Sequence, residues 1–143
     1  MKLRALIKEC TAGVFTEAAM HTPLHITSKA VEYVADCKAD SIISAGGGST
    51  IGLRKAISIW TGLPYICIPT TYAGSEMTPI LGETVDGRKT TRRDPQILPD
   101  TVLYDVQLTR TLPPSLSASS GVNAIAHAGM LYFSTLRTFL TVP

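Results

Sequence analysis

"SIISAGGGSTIGLRKAISIWTGLPYICIP", Ser41 to Pro69, is the stretch on which the fold turns. Ser41 to Ala45 is a short apolar run, the length of a buried strand, and three glycines end it. In the following "STIGLRKAISIWTG", Ile51, Lys55, Ile57 and Ile59 stand at spacings that suit a helix, and Gly62 is placed to close it. "PYICIP" then reads as a second buried strand, stopped by Pro69. A strand, a glycine turn, a helix and a strand in so short a span imply parallel strands with a helix on the sheet face, the α/β class.

The flanking sequence extends this unit in both directions. Upstream, "HTPLHITSKAVEYVADCKAD" predicts a helix opening near Thr22, with Pro23 tolerated in its first turn. Its apolar face would carry Ile26, Ala30, Val31, Val34 and Ala35 and pack on the sheet. Downstream, "VLYD", Val102 to Asp105, is expected as a third strand, and "ILGETVDGRKTT" as a hairpin. Beyond Pro113 and Pro114 the pattern turns helical. The expected architecture is therefore a partial parallel-sheet, Rossmann-like domain, followed by helix.

Composition narrows the partners. The chain has 143 residues, 45% hydrophobic and 17% charged, with a net charge of +2, the profile of an ordinary globular protein. Its one dense basic cluster, "GRKTTRRDP", lacks the interleaved aromatics on which bases would stack, so no nucleic-acid partner is expected. Cys10, Cys37 and Cys67 are odd in number and far apart, which predicts reduced thiols and a cytoplasmic location. The N-terminal "MKLRALIKECTAG" makes a poor signal peptide because Lys8 and Glu9 cut its apolar run. With no run of about 18 apolar residues, no membrane segment is expected.

Two loops carry the candidate chemistry. "AGGGST" sits where a strand hands over to a helix. Glycines there let a pyrophosphate approach the backbone, while free N–H groups and the helix dipole favour negative charge. Gly46, Gly47, Gly48 and Ser49 are the candidates, against the alternative of a plain tight turn, since the spacing is not G-x-G-x-x-G. "PTTYAGSEMTP" begins where the next strand ends and should project to the same sheet edge. Thr70, Thr71, Ser75 and Thr78 offer hydroxyls for phosphate or ribose, or for satisfying the turn's own backbone.

Four segments, "GGGSTIGLRKAI", "IPTTYAGSEMTPILGETVDGRKTTRRDP", "LPDTVLYDVQLTRTLP" and "SGVNAIAHA", together resemble the iron-containing alcohol dehydrogenase superfamily, and within it the maleylacetate reductases. The resemblance covers about Ala12 to Ala128. It implies an NAD(P)-binding α/β domain, here 1–112, an all-helical domain starting in 113–143, a cleft between them, and a homodimer. NADH or NADPH would lie on the glycine turn and threonine loop, with Lys89 matching the family's lysine near the nucleotide. The implied reaction reduces the conjugated carbon–carbon double bond of maleylacetate, giving 3-oxoadipate in aromatic-compound breakdown. The substrate has two carboxylates, so Arg88, Arg92 and Arg93 are candidate cations, or else a solvated basic loop.

The resemblance also has departures. Gly52 stands where many relatives carry an aspartate, and "TTYAGSE" is one residue shorter than the usual superfamily loop. Superfamily alcohol dehydrogenases resemble D-A-x-x-H at "NAIAH", their aspartate and histidine binding metal. Here Asn123 takes the acidic position and offers only a neutral carbonyl oxygen. Asn123 and His127, four residues apart, are therefore expected to serve as hydrogen-bond donors to substrate or enolate, His127 also as proton source, with no metal. The family pattern runs longer on both sides, so a truncated member with a divergent tail is expected. An inactive fragment and a metal-dependent alcohol dehydrogenase relative are the alternatives.

Overall fold

The computed structural model describes residue 5, residues 7–123 and residues 125 and 126. Helix α1, Leu24–Asp36, is followed by strand β1, Ile42–Gly46, helix α2, Gly48–Thr61, and strand β2, Tyr65–Pro69. The hairpin strands β3, Ile80–Val85, and β4, Arg88–Arg93, come next, and then β5, Thr101–Val102. The chain is again helical over 114–123. β1, β2 and β5 form a parallel sheet in that spatial order, while β3 and β4 make a separate antiparallel pair. The α/β class expected from the strand and helix alternation is what the molecule adopts.

Helix α2 is the centre of the packing. Its Leu53 and Ile57 join Ala30 of α1, with Phe15, Ile26, Val34 and Ile42 packed around them. A second face of the helix presents Ala56 to Leu81 of β3 and to Ile97. Apolar contact on both faces explains why Ile51 and Leu53–Ser58 are all buried. Gly62 closes the helix at φ 68, a left-handed cap that costs glycine little, and its N–H donates to Ser58 O at 2.8 Å.

Two expectations shift. Helix α1 starts at Leu24 with Pro23 as its N-cap, because Thr22 stands at φ 46 and cannot be helical. The third strand pairs only over Thr101–Val102, against Ile66 and Cys67, and not to Asp105. Leu103 N still donates to Cys67 O at 2.8 Å. Past it, the Tyr104 hydroxyl donates to Glu76, and Asp105 caps a 3-10 turn by accepting from Gln107 N, so the chain leaves the sheet. Among the described residues no helix is long and apolar enough to cross a membrane.

Candidate functional site

The glycine turn opens α2. Gly47 is the N-cap and has no side chain to satisfy the first turn, where Ile51 N makes the first helical bond, to Gly47 O at 3.1 Å. The N–H groups of Gly48, Ser49 and Thr50 precede that bond and are therefore available to an anion. The threonine loop leaves β2 beside this turn. Thr70 N donates to Gly46 O at 3.0 Å, carrying the β1–β2 pairing one step past the strand ends.

From there the two loops run against each other. A Cβ on Gly47 would stand 2.8 Å from Thr71 Cγ2, and one on Gly48 would stand 3.7 Å from Ala73 Cβ. Only glycine permits that approach at position 47 without displacing Thr71. Thr71 Oγ1 is buried and has no hydrogen-bond partner. A hydroxyl held in that state is costly unless something accepts from it or donates to it. The cradle thus has backbone donors at a helix start, a surface pared down to glycine, and an unsatisfied hydroxyl on its wall. These residues fit the pyrophosphate of a dinucleotide.

The remainder of the loop is bound into the fold. Gly74, at φ 67, leads into a 3-10 turn over Ser75–Met77. Thr78 Oγ1 donates to Ser75 O at 3.1 Å and accepts from Lys55 Nζ at 3.1 Å. The Thr78 hydroxyl proton is therefore already committed. Glu76 is buried, its Oε1 accepting from the Tyr104 hydroxyl at 2.9 Å. Desolvation first, then Glu76, pushes the Tyr104 hydroxyl up to about 12. Although the residue as a whole is exposed, this hydroxyl end is the part held against the buried carboxylate.

Lys55, which the sequence offers only as one position of the helical spacing, and Arg54, to which it assigns no role, are both buried in α2. Lys55 Nζ also donates to Thr78 O at 2.9 Å and Ile80 O at 2.7 Å. Burial, and then the neighbouring Arg54, lower its pKa to about 8. The Arg54 guanidinium lies 3.6 Å from the centroid of the Tyr65 ring and donates to Ile97 O at 3.0 Å. Its signal in sequence was weak, since a basic pair inside an amphipathic pattern ordinarily marks the wet face.

The other candidates come from later stretches of the chain. Lys89 is exposed on β4, paired across the hairpin with Thr84. Arg88, Arg92 and Arg93 are exposed on the same strand, and Arg92 bonds Asp94 at 3.1 Å. Asn123 is exposed in the helix over 114–123, and His127 lies outside the described residues. No group of three His, Cys, Asp or Glu side chains able to hold a metal is found among the described residues. Asn123 offers a neutral amide oxygen rather than a carboxylate, a weaker donor to a divalent metal ion. A cavity of about 250 Å³ lies between the N-terminal segment, α1 and β1. Its lining includes Ala45, Thr50 and Arg54 but no threonine-loop residue, so it touches the glycine-turn end of the cradle without reaching the loop.

The family model for iron-containing alcohol dehydrogenases matches residues 2–106, most of the chain. The chain belongs to the iron-containing alcohol dehydrogenase family. It is 56% identical over 135 residues to the maleylacetate reductase of Rhizobium sp. (strain MTP-10005), covering 94% of this chain and 38% of that protein. Maleylacetate reductase 1 of Rhodococcus opacus is 48% identical over 127 residues, 89% of this chain and 36% of that protein. The chain thus spans a little over a third of the length of these relatives. The crystal structure of the Rhizobium enzyme superposes with a TM-score of 0.86, covering 89% of this chain and 36% of that one. A sulfoacetaldehyde reductase from Bifidobacterium kashiwanohense, solved in complex with NAD+, is 27% identical with a TM-score of 0.68, covering 76% of this chain and 35% of that one.

Proposed function

We propose that this chain supplies the dinucleotide-binding part of an NAD(P)H-dependent reductase acting on maleylacetate, an unsaturated oxo-dicarboxylate. The observation that carries the reading is the interlock of the two loops at the strand ends. Thr70 bonds Gly46, and Thr71 fills the space left by Gly47 beside the free N–H groups of α2. The substrate class is taken from the maleylacetate reductases that match at 56% and 48% identity.

In this reading Gly46, Gly47, Gly48 and Ser49 hold the pyrophosphate through backbone N–H groups and the helix dipole. Thr70, Thr71 and Ser75 supply hydroxyls to phosphate or ribose, while Thr78 shapes the loop. Lys89 contributes positive charge toward the nucleotide. The nicotinamide, when bound, supplies hydride to the alkene carbon remote from the ketone. Negative charge then develops on the ketone oxygen, where hydrogen-bond donors stabilise it. Asn123 and His127 are assigned that duty, and His127 returns a proton to the neighbouring carbon. Arg88, Arg92 and Arg93 are the cations offered to the two carboxylates.

The test is NADH or NADPH oxidation on adding maleylacetate to the purified chain at stoichiometric concentration, with metal analysis of the same sample. The expected result is a loss of nicotinamide absorbance that does not depend on iron or zinc. A flat trace with dinucleotide bound would contradict the reductase activity. Absence of dinucleotide binding would contradict the cofactor assignment itself, and stoichiometric iron or zinc would overturn the role given to Asn123.

A further inference from the structure

Helix α2 buries two adjacent cations, Arg54 and Lys55, and neither pairs with a carboxylate; the described ion pairs are Lys29 with Glu17 and Arg92 with Asp94. A buried ammonium is costly unless every N–H it carries meets an acceptor. Lys55 meets that condition. Its three N–H bonds are matched by three acceptors, Thr78 O at 2.9 Å, Thr78 Oγ1 at 3.1 Å and Ile80 O at 2.7 Å. Thr78 Oγ1 can only accept here, because its own proton goes to Ser75 O. A compact ammonium with three rotatable donors suits three converging acceptors better than the planar fork of arginine would.

All three acceptors belong to one place in the chain, where the threonine loop hands over to β3. The same helix that begins at the glycine turn thus reaches across, two turns later, and fastens the far end of the loop. At the near end, Thr70 N is fastened to Gly46 O at 3.0 Å. Both ends of the loop are therefore referred to one rigid element, and the residues between them, including Thr71, are held over the glycine turn.

We infer that Lys55 is a positioning residue: through Thr78 and Ile80 it fixes the threonine loop against the glycine turn without itself touching the dinucleotide. The dinucleotide half of this inference rests on the reading given under Proposed function, whereas the anchoring half stands on the contacts alone.

The experiment compares Lys55→Met with the wild-type chain by amide hydrogen exchange, NADH titration and thermal unfolding. Methionine keeps length and burial but has no donor. Met77 N and Thr78 N, which donate to Gly74 O and Ser75 O at 3.2 Å each, report on the loop, and the β1–β2 amides report on the fold. Exchange at residues 77 and 78 should quicken by about tenfold or more, the scale of one or two net hydrogen bonds. NADH affinity should fall by a similar factor, with β1–β2 protection nearly unchanged. Unchanged exchange at 77 and 78, or acceleration at every amide alike, would overturn the inference. Should Lys55→Met fail to fold, Lys55→Gln, which keeps two donors, takes its place. Failure of both would assign Lys55 to the fold and likewise overturn it. Absence of NADH binding by the wild type would remove the nucleotide reading, while the exchange comparison would still decide the anchoring.

Discussion

Gly52 and Thr22 contend for one small space. A Cβ on Gly52 would stand 2.6 Å from Thr22 Oγ1, and Thr22 is buried at φ 46, next to His21 at φ 62. Two consecutive residues in the left-handed region are strained for side chains of this kind. They persist because Thr22 O accepts from Thr84 N at 3.2 Å and His21 O accepts from Thr84 Oγ1 at 3.1 Å. The departure at position 52, visible in the sequence as an aspartate replaced by glycine, thus has a partner that the sequence did not reveal, 30 residues away along the chain. Gly52→Asp should lower stability by about 1–3 kcal/mol, the usual cost of overpacking, read as a fall in unfolding midpoint. Thr22→Gly in the same chain removes both the obstructing hydroxyl and the strain, and should recover most of the loss. An unchanged midpoint in Gly52→Asp alone would contradict this account.

At the scale of elements, β1, α2, β2 and the hairpin were legible because each is written in local pattern: an apolar run, a glycine turn, a helical spacing, an Asp-Gly turn. The glycine turn and threonine loop could be placed at one edge for the same reason, since parallel strands send their C-terminal ends the same way. The burial of Arg54 and Lys55 was not legible, because it depends on Ile97 and on residues 78–80, 23 to 43 positions further along the chain. The third strand was legible in place but not in extent, since β5 covers Thr101–Val102 and ends before Tyr104 turns to Glu76.

The buried lysine on α2 has a measurable consequence for stability. Its folded pKa, about 8, lies below the ordinary lysine value of 10.5. Below pH 8 both folded and unfolded chains carry the proton, and the fold bears the full cost of the buried charge. Between about 8 and 10.5 the unfolded chain binds more protons than the folded one, so stability rises with pH, by on the order of 3 kcal/mol in total. Tyr104 acts in the opposite direction above about pH 10, where the unfolded chain ionises first. Unfolding midpoints should therefore climb from pH 7.5 toward about 9.5, and Lys55→Met should abolish the climb. A wild-type profile flat across that window would contradict the burial of a charged Lys55.

Across the whole molecule, the described surface has two unpartnered features. β1 ends the order β1-β2-β5, so one of its edges is unpaired among the described residues, and Ile43 on it is exposed. Leu103, Val106, Leu116 and Val122 are exposed beyond the sheet, toward and within the last helix. An open strand edge with apolar neighbours favours association between copies. Sedimentation velocity should show self-association rising with concentration, reduced by Ile43→Lys, which places a charge on the edge strand. A monomer at all concentrations would contradict that reading of the surface.

The central claim is that the interlocked loops hold a nicotinamide dinucleotide, and its most direct test is an amide chemical-shift titration of the purified chain with NADH and with NADPH. Saturable shifts are expected, concentrated in residues 46–50 and 70–78 and abolished by Gly47→Val, whose side chain would displace Thr71. Shifts confined to α1 and the N-terminal segment, or no saturable shift with either dinucleotide, would contradict that claim.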